Sequence, residues 1–403
     1  MVTQLPLSQS VRSALPPLSL YVHVPWCVRK CPYCDFNSHG VGGNAALPED
    51  DYLKALVADL DADLALAAGR ELVSIFIGGG TPSLMSAEFY QRLLDALAAR
   101  LPLARDIEIT LEANPGTLEH GRFKGYRQAG INRLSLGVQS FHDQQLKALG
   151  RIHGGREALT AIDEALRAGF DNLNIDLMHG LPEQTPALAL ADLKQAIDLS
   201  PTHLSWYQLT LEPNTEFHSH PPRLPEEEML WDIQDLGHER LEAAGFKRYE
   251  ISAYATEQRH SRHNLNYWQF GDYLGIGAGA HGKISAAGEQ GMIIERRWKV
   301  RQPDSYLRRI NDPRGFVAGQ RRLEDDELPL EFSMNALRLV DGVPMSTWEL
   351  ATGRPRRQLE AGLAEARVKG LLADDKDGFR ATDRGLLFLN ELLALISETG
   401  SDG

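Results

Sequence analysis

Between Leu20 and Leu211 short apolar runs alternate with stripes of apolar residues at helical spacing. Leu20 to Val24, Leu72 to Ile77, Ile107 to Leu111, Arg133 to Val138, Leu173 to Leu177 and His203 to Leu211 read as strands. Leu53, Leu56, Val57, Leu60 and Leu64 mark one helix face, and Phe89, Leu93, Leu94, Leu97 and Leu101 mark a second. Ala158, Leu159, Ile162, Ala165 and Leu166 form a third stripe, and Leu188 to Leu199 reads as a further helix. Strands that alternate with helices pair in parallel, because each crossover helix covers the sheet. The expected fold class is therefore α/β, a partial (β/α)6 barrel of the TIM type. In such barrels the chemistry gathers at the C-terminal strand ends.

The pattern changes after Pro221. Leu224 to Ala244 reads as a long helix and Tyr249 to Ala253 as a strand. Residues 261–299 are rich in Gly, aromatic residues and His, with weak periodicity. From Glu324 onward Leu337, Leu359, Leu363, Leu371 and Leu386 to Ile396 are helical again. The expected division is a loose lead-in over 1–17, a barrel with its extension over 18–300, and a small, mostly helical domain over 301–403.

All three cysteines lie in one loop after the first strand, as Cys27-Val-Arg-Lys-Cys31-Pro-Tyr-Cys34. An odd, clustered set is a poor disulfide framework. Three thiolates can wrap one face of a [4Fe–4S] cluster and leave the fourth iron open to a small molecule. A structural zinc site would need a fourth ligand, from His23 or His39.

The other strand ends carry polar or glycine-rich elements. These are Gly78-Gly79-Gly80-Thr81-Pro82, Glu112-Ala-Asn114, Gln139-Ser140, Asp176 with His179-Gly180, and Thr210-Leu-Glu212. Each alone is weak; one at every strand end is a coherent constellation. Gly275 to Gly282 could be read as a phosphate loop, but it lacks the lysine of a P-loop. It reads instead as backbone packed near the barrel mouth.

With these residues in view, the chain resembles the radical S-adenosylmethionine (SAM) superfamily. The resemblance rests on the cysteine spacing and on the aromatic residue before the third cysteine, Tyr33. It covers roughly residues 18–395. It implies a [4Fe–4S] cluster on Cys27, Cys31 and Cys34, with SAM on the open iron and Tyr33 near the adenine. Gly79, Gly80 and Thr81 match the motif that contacts the methionyl part of SAM. Resemblance to the oxygen-independent coproporphyrinogen III oxidase group implies SAM contacts at Glu112, Gln139, Arg151 and Asp176. Arg151 could hold a carboxylate as a fork, and Asp176 could accept from ribose hydroxyls. Tyr21 matches a residue that contacts a second SAM in the oxidases.

The oxidases carry a further cysteine two positions after the third, where this chain has Phe36. They also have a longer N-terminal segment. The sequence looks closer to a sister group of heme chaperones, which share a His-Asn-x-x-Tyr-Trp motif. Here the motif reads His263-Asn264-Leu265-Asn266-Tyr267-Trp268. It implies heme as a cofactor, with His263 as the candidate ligand and His260, His281 and Tyr267 as alternatives. The expected function is to bind heme and pass it to an acceptor protein, which the sequence does not identify. The alternative is radical SAM oxidative decarboxylation of coproporphyrinogen III.

Formal net charge is -13, which argues against a broad nucleic-acid face. No apolar stretch is long enough for a transmembrane segment. The expected location is cytoplasmic, and a homodimer is among the expected assemblies.

Overall fold

The computed structural model describes residues 15–41, 46–116, 121–289, 291–360 and 362–398. Of the expected lead-in, residues 1–14 lie outside the described residues. The six expected strands all form. They are β1 (Leu18–Val24), β2 (Leu72–Gly79), β3 (Leu103–Ala113), β4 (Arg133–Gln139), β5 (Leu173–His179) and β6 (His203–Gln208). They pair in parallel in chain order. Leu18, Leu20, Val22 and Val24 of β1 are fully buried, as alternate positions of a covered strand should be.

The crossover helices follow the apolar stripes. Helix Ala87–Ala98 starts where Ser86 Oγ accepts from the Phe89 N–H at 3.1 Å. Thr185 caps helix Pro186–Asp198 through the Leu188 N–H. A side-chain cap of this kind stabilises a helix by about 1 kcal/mol.

The sheet then extends at both margins. Beyond β6, β7 (Lys247–Glu250) and β8 (Ala253–Ala255) add antiparallel strands. The single strand expected over Tyr249 to Ala253 is thus broken by a turn at Ile251 and Ser252. Beyond β1, β9 (Asp272–Ile276) pairs in parallel with it. β10 (His281–Gly288), β11 (Gly291–Lys299) and β12 (Val317–Arg322) follow antiparallel. The 12-stranded sheet has the order β12-β11-β10-β9-β1-β2-β3-β4-β5-β6-β8-β7. It is an open arc, wider than the expected partial barrel.

The margin beyond β1 is held by buried charges. Asp272 accepts from Arg70 Nη1 at 2.8 Å and Lys283 Nζ at 2.9 Å. Lys299 Nζ lies 2.5 Å from both Asp59 and Asp63. Such pairs add little net stability, but losing one partner strands a buried charge at about 3–5 kcal/mol.

The main sheet continues past residue 300 through β12. Helices Leu328–Ala336, Ser346–Thr352 and Leu389–Glu398 follow, around a core that includes Phe332, Trp348, Leu359 and Phe379. This helical unit joins the sheet where Leu339 bridges Glu250 and the Val340 N–H donates to Tyr249 O at 3.0 Å. Among the described residues no helix is long and apolar enough to cross a membrane.

Candidate functional site

A cavity of about 700 Å³ opens at the C-terminal ends of β1 to β6. It brings Cys27, Cys31, Cys34 and Tyr33 together with Gly79, Gly80 and Thr81. Glu112, Gln139, Arg151 and Asp176 line the same space.

The cysteine loop is fastened at both ends. At its start the Gly80 N–H donates to Val24 O and the Thr81 N–H to Trp26 O, both at 2.7 Å. A Cβ on Gly80 would stand 2.5 Å from Trp26 O, so only glycine allows this approach. At the loop's end Asn37 Nδ2 donates to Ala278 O and Arg301 O, both at 2.9 Å. Gly279 has φ +82, and a side chain there would overlap Asn37. The segment Gly275 to Gly282 is thus a backstop for the cysteine loop. A strand, β9, leads into it.

Burial pushes the Cys27 and Cys34 thiols up. Cys34 Sγ has Ser38 Oγ at 3.7 Å, and Cys31 Sγ has Arg151 Nη1 at 3.7 Å. Among the described residues no three His, Cys, Asp or Glu side chains are placed to hold a single metal ion. Three thiols on one loop facing the cavity suit a cluster with one open iron. Both histidines that could complete a zinc site are hydrogen-bonded. Both ring nitrogens of His23 are engaged, with Tyr21 Oη at 2.7 Å and Asn37 O at 2.9 Å. His39 Nε2 lies 3.2 Å from Asn37 Oδ1.

Behind the loop, polar groups form a connected wall. Arg151 Nη2 donates to Asn114 Oδ1 at 2.6 Å and to Gly137 O at 2.7 Å. Asn114 Nδ2 in turn donates to Thr81 Oγ1 at 3.0 Å. Arg151 Nε is buried without a hydrogen-bond partner among the described residues, which suits an anionic ligand group. Glu112 accepts from the Gly79 N–H at 3.1 Å. Burial first, then the charge of Asp176, pushes its carboxyl up to about 8. Asp176 accepts from Asn174 Nδ2 at 2.8 Å and Ser135 Oγ at 3.1 Å, and burial raises it too. Two carboxyls in one closed space favour a ligand that brings positive charge or hydroxyl donors.

Tyr21 and His263 are not on the cavity wall. Tyr21 stacks on Phe76 at 5.6 Å, and His263 stacks on Phe76 at 4.2 Å. His263 is 5% exposed and meets Glu108 and Ser261. The motif reaches the cavity through Asn264 and Trp268 instead. His260 stacks on Tyr249 at 4.4 Å, and His281 lies against Trp298 at 6.4 Å.

Other lining residues escaped the sequence reading. Ser205 and Tyr207 alternate along β6, so the period-two face of that strand was a usable signal. Tyr207 Oη donates to Gln139 Oε1 at 2.9 Å. Glu250, Ser252 and Arg338 come from the sheet margin and the C-terminal unit, with no motif to announce them. Phe36 also lines the cavity and is 61% exposed.

A β/α arc with three cysteines after β1 and polar strand ends around one cavity defines a radical SAM protein. Residues 21–194 match the Radical SAM superfamily, and residues 323–388 match the HemN C-terminal domain. The superfamily implies a [4Fe–4S] cluster and SAM. The heme chaperone HemW of Escherichia coli is 52% identical over 381 residues, covering 94% of this chain and 98% of that protein. HemW of Haemophilus influenzae is 49% identical over 386 residues, covering 94% and 98%. The chain belongs to the HemW family. The mitochondrial radical S-adenosyl methionine domain-containing protein 1 of Bos taurus is 36% identical, covering 93% of this chain and 86% of that one. Among solved structures, the coproporphyrinogen III oxidase HemN of E. coli aligns with a TM-score of 0.77 at 23% identity, covering 97% of this chain and 93% of that one. That likeness concerns the fold.

Proposed function

We propose that this protein is a heme chaperone that binds heme and hands it to an acceptor protein. The observation that carries this reading is that Asn264 and Trp268 line the same cavity as the three cysteines. A flat macrocycle and the cysteine-bound cofactor can therefore share one chamber. The 52% identity to the E. coli chaperone over nearly the whole chain supports the same reading. Phe36 stands where the oxidases have a further cysteine, which favours a chaperone over porphyrinogen decarboxylation.

Cys27, Cys31 and Cys34 would hold the [4Fe–4S] cluster. Bound there with SAM, it supplies one-electron chemistry or a redox signal at the open iron. This chain's own residues set the surroundings. Arg151 would hold the methionine carboxylate, with Asn114 and Thr81 fixing its angle. Asp176 would take the ribose hydroxyls, and Tyr33 would cover the adenine. Gly79, Gly80, Glu112 and Gln139 would line the rest of the SAM pocket. Tyr21 and His263 would act from behind, through Phe76. For His263 to ligate heme iron, its ring must first leave Phe76 and Glu108. The thiols have to remain reduced, which fits a cytoplasmic location.

The test uses the anaerobically reconstituted protein. Heme titration followed by absorbance should saturate at one heme per chain. Incubation with coproporphyrinogen III, SAM and a reductant should yield no vinyl product. Turnover there would overturn the reading in favour of the oxidase.

A further inference from the structure

Three buried polar atoms on one wall of the cavity have no hydrogen-bond partner among the described residues. They are Glu250 Oε2, Trp268 Nε1 and Arg338 Nε. Orphaned groups of this kind are rare in native interiors, and three together call for an explanation. The Arg338 guanidinium lies over the Trp268 ring, 4.2 Å from its centroid. Its Nη2 is 3.6 Å from Glu250 Oε2, too far for a hydrogen bond. Glu250 Oε1 is occupied by Ser252 Oγ at 3.2 Å. The resting Arg338–Glu250 pair is thus a loose one.

The backbone holds Arg338 in place. Leu339 bridges Glu250, and the next residue, Val340, donates to Tyr249 O. Arg338 also lines an open groove of about 600 Å³ on its other side, together with Met334, Leu386 and Phe388. It therefore stands at the rim, where cavity meets groove.

We propose that Arg338 and the Trp268 indole N–H form a subsite for a carboxylate of the bound ligand. An arginine fork and an indole are both donor-only, and a carboxylate can accept from both at once. A rim position suits the polar edge of a flat, otherwise apolar molecule, whose body fills the chamber. The inference rests on heme as the cargo, and the carboxylate is then a heme propionate. Glu250 is the resting counter-charge that the propionate displaces. Burial raises its carboxyl, and the Arg338 charge pulls it back down.

The test compares heme with heme dimethyl ester, in which both carboxylates are masked, by absorbance titration of the full chain. Wild type is expected to bind the ester on the order of ten- to a hundredfold more weakly than heme. Arg338→Met should weaken heme by a similar factor and leave the ester unchanged. Glu250→Gln should tighten heme and not the ester. Equal affinity of wild type for the two ligands overturns the subsite and leaves heme binding standing. So does an Arg338→Met protein that loses both ligands alike. Wild type that binds neither ligand overturns the subsite and the heme reading together. The wild-type comparison decides even where a variant fails to fold.

Discussion

The His263 imidazole lies flat on the Phe76 ring, with centroids 4.2 Å apart and planes 5° from parallel. Its Nδ1 also meets Ser261 Oγ at 3.0 Å and Glu108 Oε1 at 3.4 Å. Burial lowers its pKa, with Glu108 pulling the other way. His263→Ala removes the stacking face and leaves Glu108 buried without this donor. The expected loss is about 2–4 kcal/mol, read by denaturant unfolding. The folded variant should keep the wild-type heme spectrum. A changed Soret band would make His263 a ligand after all.

Glu112 makes stability depend on pH. Its folded carboxyl is raised to about 8, above the ordinary value of 4.5. Its contribution is fully present below the unfolded pKa and is lost as pH rises through the folded one. Between these values the folded chain keeps a proton that the unfolded chain releases. Cofactor-free protein should therefore weaken from about pH 5 to pH 9, by on the order of a few kcal/mol from this group. Glu112→Gln should flatten that slope. A parallel pH profile for variant and wild type would count against it.

Arg151 should matter for SAM more than for the cluster. Arg151→Lys keeps the charge but loses the planar guanidinium, whose Nη2 is tied to Asn114 and Gly137 while Nε is left for the ligand. Equilibrium dialysis on reconstituted protein should find SAM bound on the order of ten- to a hundredfold more weakly, with iron content unchanged. Iron lost in parallel would make Arg151 a support of the cysteine loop instead.

Asn37 is expected to guard the cluster. Asn37→Ala breaks both bonds to the backstop loop. The global unfolding free energy should fall by about 1–3 kcal/mol. Bleaching of the cluster absorbance in air should be several-fold faster than in wild type. An unchanged bleaching rate would show that the Asn37 side chain does not shield the cluster.

The parallel core was legible because its strands are apolar runs bounded by glycine and polar ends. The segment 272–322 was not, and its buried charges say why. Asp272, Lys283 and Lys299 stand at positions that a hydrophobic pattern would leave to Val or Ile. Asp272 and Lys299 are neutralised by partners far away in sequence, Arg70 and Asp59, and Lys283 pairs with Asp272 on the neighbouring strand, so local periodicity cannot reveal them. At the site, the strand-end residues were readable because a β/α unit assigns them a place. The motif at 263–268 was readable as a unit, yet its division into a buried His263 and the lining residues Asn264 and Trp268 depends on Phe76, which the sequence did not single out. Arg338 reaches the cavity only through the C-terminal unit.

An arc, unlike a ring, has two margins, and each presents unpaired backbone to other chains. The β12 margin is guarded by exposed Gln320, Arg321 and Arg322. The β7 margin has a different guard: the chain's own return at Leu339 across Glu250. A fragment ending before residue 323 would keep the charged guard and lose the other. It would expose a strand edge of the kind that pairs with other chains.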